Sequence, residues 1–251
     1  MKNPFTLTFG ILPEKFIRRE EIVSAVMSGF VGEENDSNAY ILTGVRGSGK
    51  TVMLNYLKKR FEELEDWIVL SINPEVDILE GIASKLYDKG TMGKFFLKAS
   101  FDFSFHGFGF SLEGGTPVKN IEVLLEKMLT IVKKKGKKVL IALDEISSND
   151  GIRVFAHSFK AFVSDGLPIY LLATGLNENV SSLQNEKTLT FLYRAPKIKV
   201  GSLNLNAITR SYKESLEVDE SFAIRLAVLT EGYASAYQIL GSLCYQRRKR
   251  S

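Results

Sequence analysis

Hydrophobic and polar positions divide the chain near residue 203. Before that point, short unbroken apolar runs alternate with segments whose apolar residues recur every three or four positions. The runs fall at 38–43, 67–73, 139–143 and 168–174, with a weaker one at 198–203. Runs of this length without polar alternation predict strands buried on both faces, as in a parallel sheet. The segments between them predict helices. One covers 19–30 through Ile22, Val23, Val26, Met27 and Phe30, and another follows residue 50 with Met53, Leu54, Leu57 and Phe61 on one face. Pro74 stops the second strand, and Asp77 is placed to cap a helix reaching residue 88. Pro117 suits the first turn of a helix over 117–135, which Gly136 ends. Shorter helices are expected over 152–163 and 177–184. After residue 203 the strands stop, and three helices are expected over 204–217, 219–230 and 232–247. The alternation implies an α/β fold, a parallel sheet sandwiched by helices and followed by a small all-helical unit.

One stretch breaks the rhythm. Phe101, Phe103 and Phe105 alternate with polar residues, His106-Gly107 turns the chain, and Phe108, Phe110 and Leu112 alternate again. This is a hairpin signal, an insertion at about 99–114. A two-stranded ribbon cannot bury such an aromatic face alone. The face either packs onto its own domain or meets a partner or neighbouring subunit.

Chemistry enters at Gly44-Val45-Arg46-Gly47-Ser48-Gly49-Lys50-Thr51, which reads G-x-x-x-x-G-K-T. The motif stands between a predicted strand and a predicted helix, the context that makes it a phosphate-cradling P-loop. Its glycines let backbone N–H groups point inward, and the following helix adds its positive N-terminal end. Lys50 is expected on the β- and γ-phosphates, the Thr51 hydroxyl on Mg²⁺, and Val52 beside them. The fold class narrows to a P-loop NTPase, with ATP and Mg²⁺ as the expected cofactors. Arg46 occupies a variable position of the motif and is assigned no separate role.

A P-loop binds phosphate; hydrolysis needs a held cation and an activated water. Asp144 and Glu145 end the apolar run at 139–143, at the strand end where open α/β sheets take their ligands. Asp144 is placed to hold Mg²⁺, and Glu145, pointing differently, to act as general base. Thr174 ends the next run; it either orients the water or touches the γ-phosphate, or is a plain strand-end threonine. Arg194, among apolar neighbours at 189–196, is either offered in trans to another subunit's γ-phosphate or forms a surface ion pair.

Size and charge add limits. The chain has 251 residues, 45% hydrophobic and 25% charged, an ordinary globular composition with room for one large domain and a small appendage. Its single cysteine, Cys244, excludes an internal disulfide. No apolar run approaches the ~18 residues of a membrane span and no signal peptide is evident, so a cytoplasmic protein without a membrane partner is expected. The net charge of +4 gathers partly at Arg247-Arg248-Lys249-Arg250, read as a solvated helix end in preference to a nucleic-acid contact.

Taken together, GVRGSGKT, VLIALDE, IYLLATG, LTFLYRA and the stretch from Thr230 to Gln238 resemble the AAA+ ATPases. The similarity is to their archaeal-type, initiator-like (origin-recognition) branch, and it covers about residues 14–245. The segment from Phe16 to Ile22 resembles that branch's F-x-x-R-E opening. The resemblance implies that Phe16, Ile17 and the residues up to Arg19 lie over the adenine base. It also implies that Thr174 is the sensor threonine, that Arg194 is the arginine finger, and that 1–203 is the ATPase core and 204–251 the lid. Two features depart from the pattern. No arginine stands in 232–238, where many relatives carry a second sensor, and the Phe-rich insertion is not part of the common core. Relatives often carry a winged-helix DNA-binding domain after the lid, and this chain stops where one would begin. The resemblance implies an ATPase that converts ATP binding or hydrolysis into a conformational change. Its partners would be ATP and ADP, further copies of itself, and DNA or a protein reached through an absent C-terminal domain or the Phe-rich hairpin. The alternative is a nucleotide-gated DNA- or protein-binding switch with little turnover. A small-molecule kinase fits less well, since it has no need of the acid pair followed by the LLATG strand.

Overall fold

The computed structural model describes residues 3–8, 10–32, 37–89, 92–93, 95–96, 101–102, 116–117, 120–185 and 190–248. Strands β1 (Ala39–Thr43), β2 (Trp67–Ile72), β5 (Lys138–Leu143), β6 (Ile169–Gly175) and β7 (Lys197–Lys199) form one parallel sheet in the order β2-β5-β6-β1-β7. Helices α1 (Glu20–Val31) and α2 (Lys50–Glu62) cover one face. The other face carries α3 (Ile78–Asp88), α4 (Ile121–Lys134), α5 (Asp150–Ser164), α6 (Asn177–Asn185) and α7 (Thr190–Arg194).

The strand pleat explains how one apolar run serves two cores. In β1, Ala39 and Ile41 pack with α3, α4 and α5, while Tyr40 and Leu42 pack with α1 and α2. In β5, Val139, Ile141 and Leu143 take the first face and Leu140 and Ala142 the second. Successive side chains of a strand point to opposite faces, so a strand covered on both must be apolar at every position. The aromatic residues Phe30, Phe61, Trp67 and Tyr170 form a cluster on the α1–α2 side, with the Phe61 and Trp67 ring centres 4.6 Å apart. The predicted inward face of α2 is buried as expected at Met53, Leu54, Leu57 and Phe61.

Local chemistry sets the element ends. Asp77 caps α3 by accepting the Glu80 N–H at 2.9 Å, as the sequence predicts. The helix expected over 117–135 begins later, at Ile121, because Asn120 takes the cap position and accepts the Glu122 N–H at 2.8 Å. Pro117 lies instead in β4 (Thr116–Pro117), which pairs in parallel with β3 (Phe101–Asp102). Arms of a simple hairpin run antiparallel, so this pairing is not the one expected of Phe101 and Asp102. The Phe-rich residues 103–112 lie outside the described residues. The last strand is shorter than the apolar run 198–203 suggested, three residues at the sheet edge beside β1.

Helices α8 (Leu205–Leu216), α9 (Glu220–Leu229) and α10 (Ala234–Arg248) build a separate core. That core takes Phe5 from the start of the chain, 3% exposed, with its ring 5.8 Å from Tyr212 and 5.5 Å from Tyr237. A Cβ at Gly241 would come within 2.5 Å of the Phe5 ring, so α10 needs glycine where the aromatic side chain crosses it. The described residues between Asn3 and Lys15 form a strap tied to α10 at Asn3, Thr6 and Lys15. The Asn3 amide donates to Ser242 Oγ at 2.9 Å, the Thr6 N–H donates to Gln238 Oε1 at 3.0 Å, and Gln238 Nε2 donates to the Lys15 carbonyl at 3.0 Å. Burial pushes the Tyr237 phenol up to about 12 and raises Tyr212 further; Tyr212 donates its hydroxyl to the Tyr237 carbonyl at 2.8 Å. No helix among the described residues is long and apolar enough to cross a membrane.

Phe5→Ala removes the ring that fills this three-helix core. The expected cost is about 3–5 kcal/mol, the range for buried Phe-to-Ala changes. Urea unfolding monitored by circular dichroism measures it; a loss below about 1 kcal/mol would mean that the strap adds little to the helical core.

Candidate functional site

The glycine loop joins β1 to α2 at the C-terminal edge of the sheet. Gly47 and Gly49 adopt φ values of +75° and +94°, left-handed backbone that residues with side chains rarely take. Gly49 is also the N-cap of α2, and no side chain caps that helix. In contrast, Asp77, Asn120, Asn149, Asn204 and Asp219 cap α3, α4, α5, α8 and α9. The first-turn N–H groups of α2 thus face a ligand or water, together with the positive end of its dipole.

Lys50, the first residue of α2, is 9% exposed. Its ammonium donates to the Gly44 carbonyl at 3.1 Å and the Val45 carbonyl at 2.9 Å. Burial lowers its pKa from the ordinary lysine value; the carboxylates of Glu145 and Asp144 act against that, and the charge of Arg46 adds to it.

The acid pair is positioned by the neighbouring strand. Thr174 is fully buried, and its hydroxyl has two partners. It donates to Asp144 Oδ1 at 2.5 Å and accepts the Glu145 N–H at 2.9 Å. The Thr174 carbonyl accepts the Ile146 N–H at 2.8 Å. These bonds hold Glu145 at φ +61°, left-handed backbone that is uncommon away from glycine. Asp144 is half-buried and Glu145 exposed, so the two carboxylates stand in different surroundings.

A cleft of about 990 Å³ opens over these groups. Arg46, Gly47, Gly49, Lys50, Thr51 and Val52 line it from the loop, and Asp144, Glu145 and Thr174 from the strand ends. Phe16 and Ile17 line it from the segment before α1, with the Phe16 ring packed 5.1 Å from that of Tyr56. Gly44, Val45 and Ser48 do not line the cleft; they shape the loop behind it, and the Ser48 hydroxyl is buried without a hydrogen-bond partner among the described residues. Arg194, the last residue of α7, is exposed and is not among the cleft-lining residues.

Two contacts of the loop go beyond the sequence reading, and the first comes from Arg19, which the resemblance places over the adenine base. Arg19 Nη2 donates to the Ser48 and Gly201 carbonyls, both at 2.8 Å, tying the loop to the segment after β7; burial lowers the pKa of its guanidinium. Its place next to Phe16 and Ile17 was the available signal. The start of α10 also seats directly on the loop. The Ser235 N–H donates to the Gly47 carbonyl at 3.0 Å, and a Cβ at Gly49 would lie 3.2 Å from that of Ala234. The signal there is the pair of small residues after Gly232-Tyr233.

The site fits a magnesium nucleotide by the chemistry of its donors. An uncapped helix N-terminus and a buried ammonium suit a phosphate chain. Among the described residues no three carboxylate, histidine or cysteine side chains gather into a cation cage. A cation beside Thr51 and Asp144 would take its remaining ligands from phosphate oxygens and water, as Mg²⁺ commonly does.

No protein-family model matches the chain, and no curated protein sequence matches it. Solved structures do. The ORC2 protein of Aeropyrum pernix, in its ADPNP–ADP complexes, aligns over 97% of this chain and 66% of its own length, with a TM-score of 0.63 and 13% identity. Cdc6p of Pyrobaculum aerophilum aligns over 96% of this chain and 65% of its own, with a TM-score of 0.59 and 14% identity. The ORC1 protein of Aeropyrum pernix in complex with DNA aligns over 96% and 63%, with a TM-score of 0.56 and 15% identity. The chain thus spans a little under two thirds of the length of these proteins. The likeness is one of fold: this is the AAA+ ATPase fold in its origin-recognition-like form.

Thr174→Val keeps the side-chain shape and removes both hydroxyl bonds. A stability loss of about 1–3 kcal/mol is expected from the unpaired Glu145 N–H and Asp144 carboxylate, with Thr174→Ser close to wild type. Equal stability of the valine variant and the wild type in denaturant unfolding would show that the two bonds contribute nothing net.

Proposed function

We propose that this chain binds Mg-ATP in the cleft and hydrolyses it as an AAA+-type ATPase, using the cycle to move the C-terminal helices against the sheet. The observation that carries the reading is the shared cleft: the glycine loop, the uncapped start of α2 and the Asp144–Glu145 pair all open into it. Lys50 would turn from the loop carbonyls to the phosphates. Thr51 and Asp144 would hold Mg²⁺, which when bound neutralises charge on the phosphate oxygens. Glu145 would orient the attacking water and take its proton. Thr174 would hold both acids in place, and Phe16 and Ile17 would pack against the base.

A second reading is a nucleotide-gated switch with little turnover. The exposed position of Arg194, off the cleft of its own chain, favours it, because a single copy would then lack that arginine. A second copy would supply Arg194 in trans, which makes homo-oligomerisation part of the ATPase reading. Contact with DNA or a protein partner is proposed by analogy with structural neighbours, one of which is an ORC1 protein in complex with DNA.

Steady-state ATP hydrolysis across a protein concentration series, with and without duplex DNA, tests both readings. Lys50→Ala is expected to weaken ATP by about tenfold or more, and Glu145→Gln to keep binding while losing turnover. Unchanged ATP affinity in Lys50→Ala would remove the P-loop assignment, and full turnover in Glu145→Gln would remove Glu145 as base. Tight binding without turnover under every condition would select the switch.

A further inference from the structure

Arg46 stands at one of the positions that the motif leaves open. Its side chain is exposed, and among the described residues it makes no hydrogen bond and no ion pair. It nevertheless stands at a junction. A second cavity of about 410 Å³ lies beside the nucleotide cleft, walled by Asn73, Glu75, Ser147 and Asn179. The residues common to both cavities are Arg46, Asp144 and Glu145.

The backbone on either side of Arg46 is anchored while its side chain is not. The Val45 carbonyl accepts the Lys50 ammonium at 2.9 Å, and the Gly47 carbonyl accepts the Ser235 N–H at 3.0 Å. The Arg46 charge is close enough to oppose protonation of Lys50. A phosphate chain lying on Lys50 and the start of α2 must bring its reacting phosphorus next to Glu145, since a base acts only within hydrogen-bond reach of its water. Arg46 lies at that end. A guanidinium presents a planar fork matched to two phosphate oxygens, and one with no prior partner gives up only its hydration to bind.

We propose that Arg46 is a ligand of the γ-phosphate supplied by the chain's own P-loop. Resting on the ATP reading above, it makes the site select triphosphate over diphosphate without any residue from a second copy. ADP ends short of the junction and leaves Arg46 in water.

The test is calorimetric titration of wild type, Arg46→Ala and Arg46→Lys with Mg-ADP and with the magnesium complex of the β,γ-imido analogue of ATP. Arg46→Ala is expected to weaken the triphosphate analogue by about ten- to a hundredfold and ADP by less than about twofold. Arg46→Lys keeps the charge without the fork, and is expected to fall between. Equal weakening of both nucleotides, or of neither, overturns the proposal while leaving the ATP reading intact. Failure of the wild type to bind either nucleotide overturns both. A thermal melt of each variant establishes that it is folded, and should Arg46→Ala fail that check, the Arg46→Lys ratio of triphosphate to diphosphate affinity decides alone: a ratio equal to wild type rejects the forked contact.

Discussion

The parallel register of β5, β6 and β1 is the constraint on which the site depends. Leu143 pairs with Ala173, and Leu42 with Thr174, so three chain segments leave the sheet at the same level and side by side. One continues as the glycine loop, one as Asp144–Glu145, and the middle one carries Thr174 next to its last residue. Residues roughly 30 to 130 positions apart in sequence therefore meet without any loop having to search for its partner. The hydrogen bonds of the Thr174 hydroxyl extend the sheet's own order by one side chain, and the left-handed Glu145 is the strained result. A slip of one residue in β6 would turn Thr174 to the other face and leave both acids unsupported.

Two contacts then close over that edge, one built on small residues and one on a single arginine. Gly47 and Gly49 face Ser235 and Ala234 with little space between them, so the start of α10 rests directly on backbone. Arg19 fastens the loop from the other side through carbonyls of residues 48 and 201. The loop is thus tied to two parts of the molecule that do not belong to the sheet. A change in its shape on ligand binding has a physical route to the C-terminal helices, through one hydrogen bond and a van der Waals contact. These are weak enough to exchange and specific enough to register a displacement.

Much of this architecture is written in the chain as local pattern. Unbroken apolar runs marked the buried strands because a strand packed on both faces admits no polar alternation. The P-loop was legible because its glycines, lysine and threonine are each required by backbone or charge. Asp77 was legible as a cap; Asn120 was not, since the proline three residues before it offered a competing start. Strand order was hidden, because five apolar runs do not say which lies beside which. The seat of α10 was hidden too. Ala234 and Ser235 act by being small, and smallness leaves no signature comparable to a charge. Thr174 stood out only as a strand end, and the direction of its hydroxyl is a tertiary fact.

Phe5 bears on the order in which the molecule takes shape. Its partners Tyr212 and Tyr237 lie more than 200 positions away, and Asn3 bonds to Ser242 across 239 residues. Phe5 precedes α10 in the chain, so during synthesis these contacts cannot form until α10 has been made. Contacts of such long sequence separation raise the contact order, which slows folding in small domains. Thr6, Leu7, Thr8, Gly10 and Ile11 of the strap also line the cleft, so one wall of the site is held in place by contacts that reach across more than 200 positions of sequence.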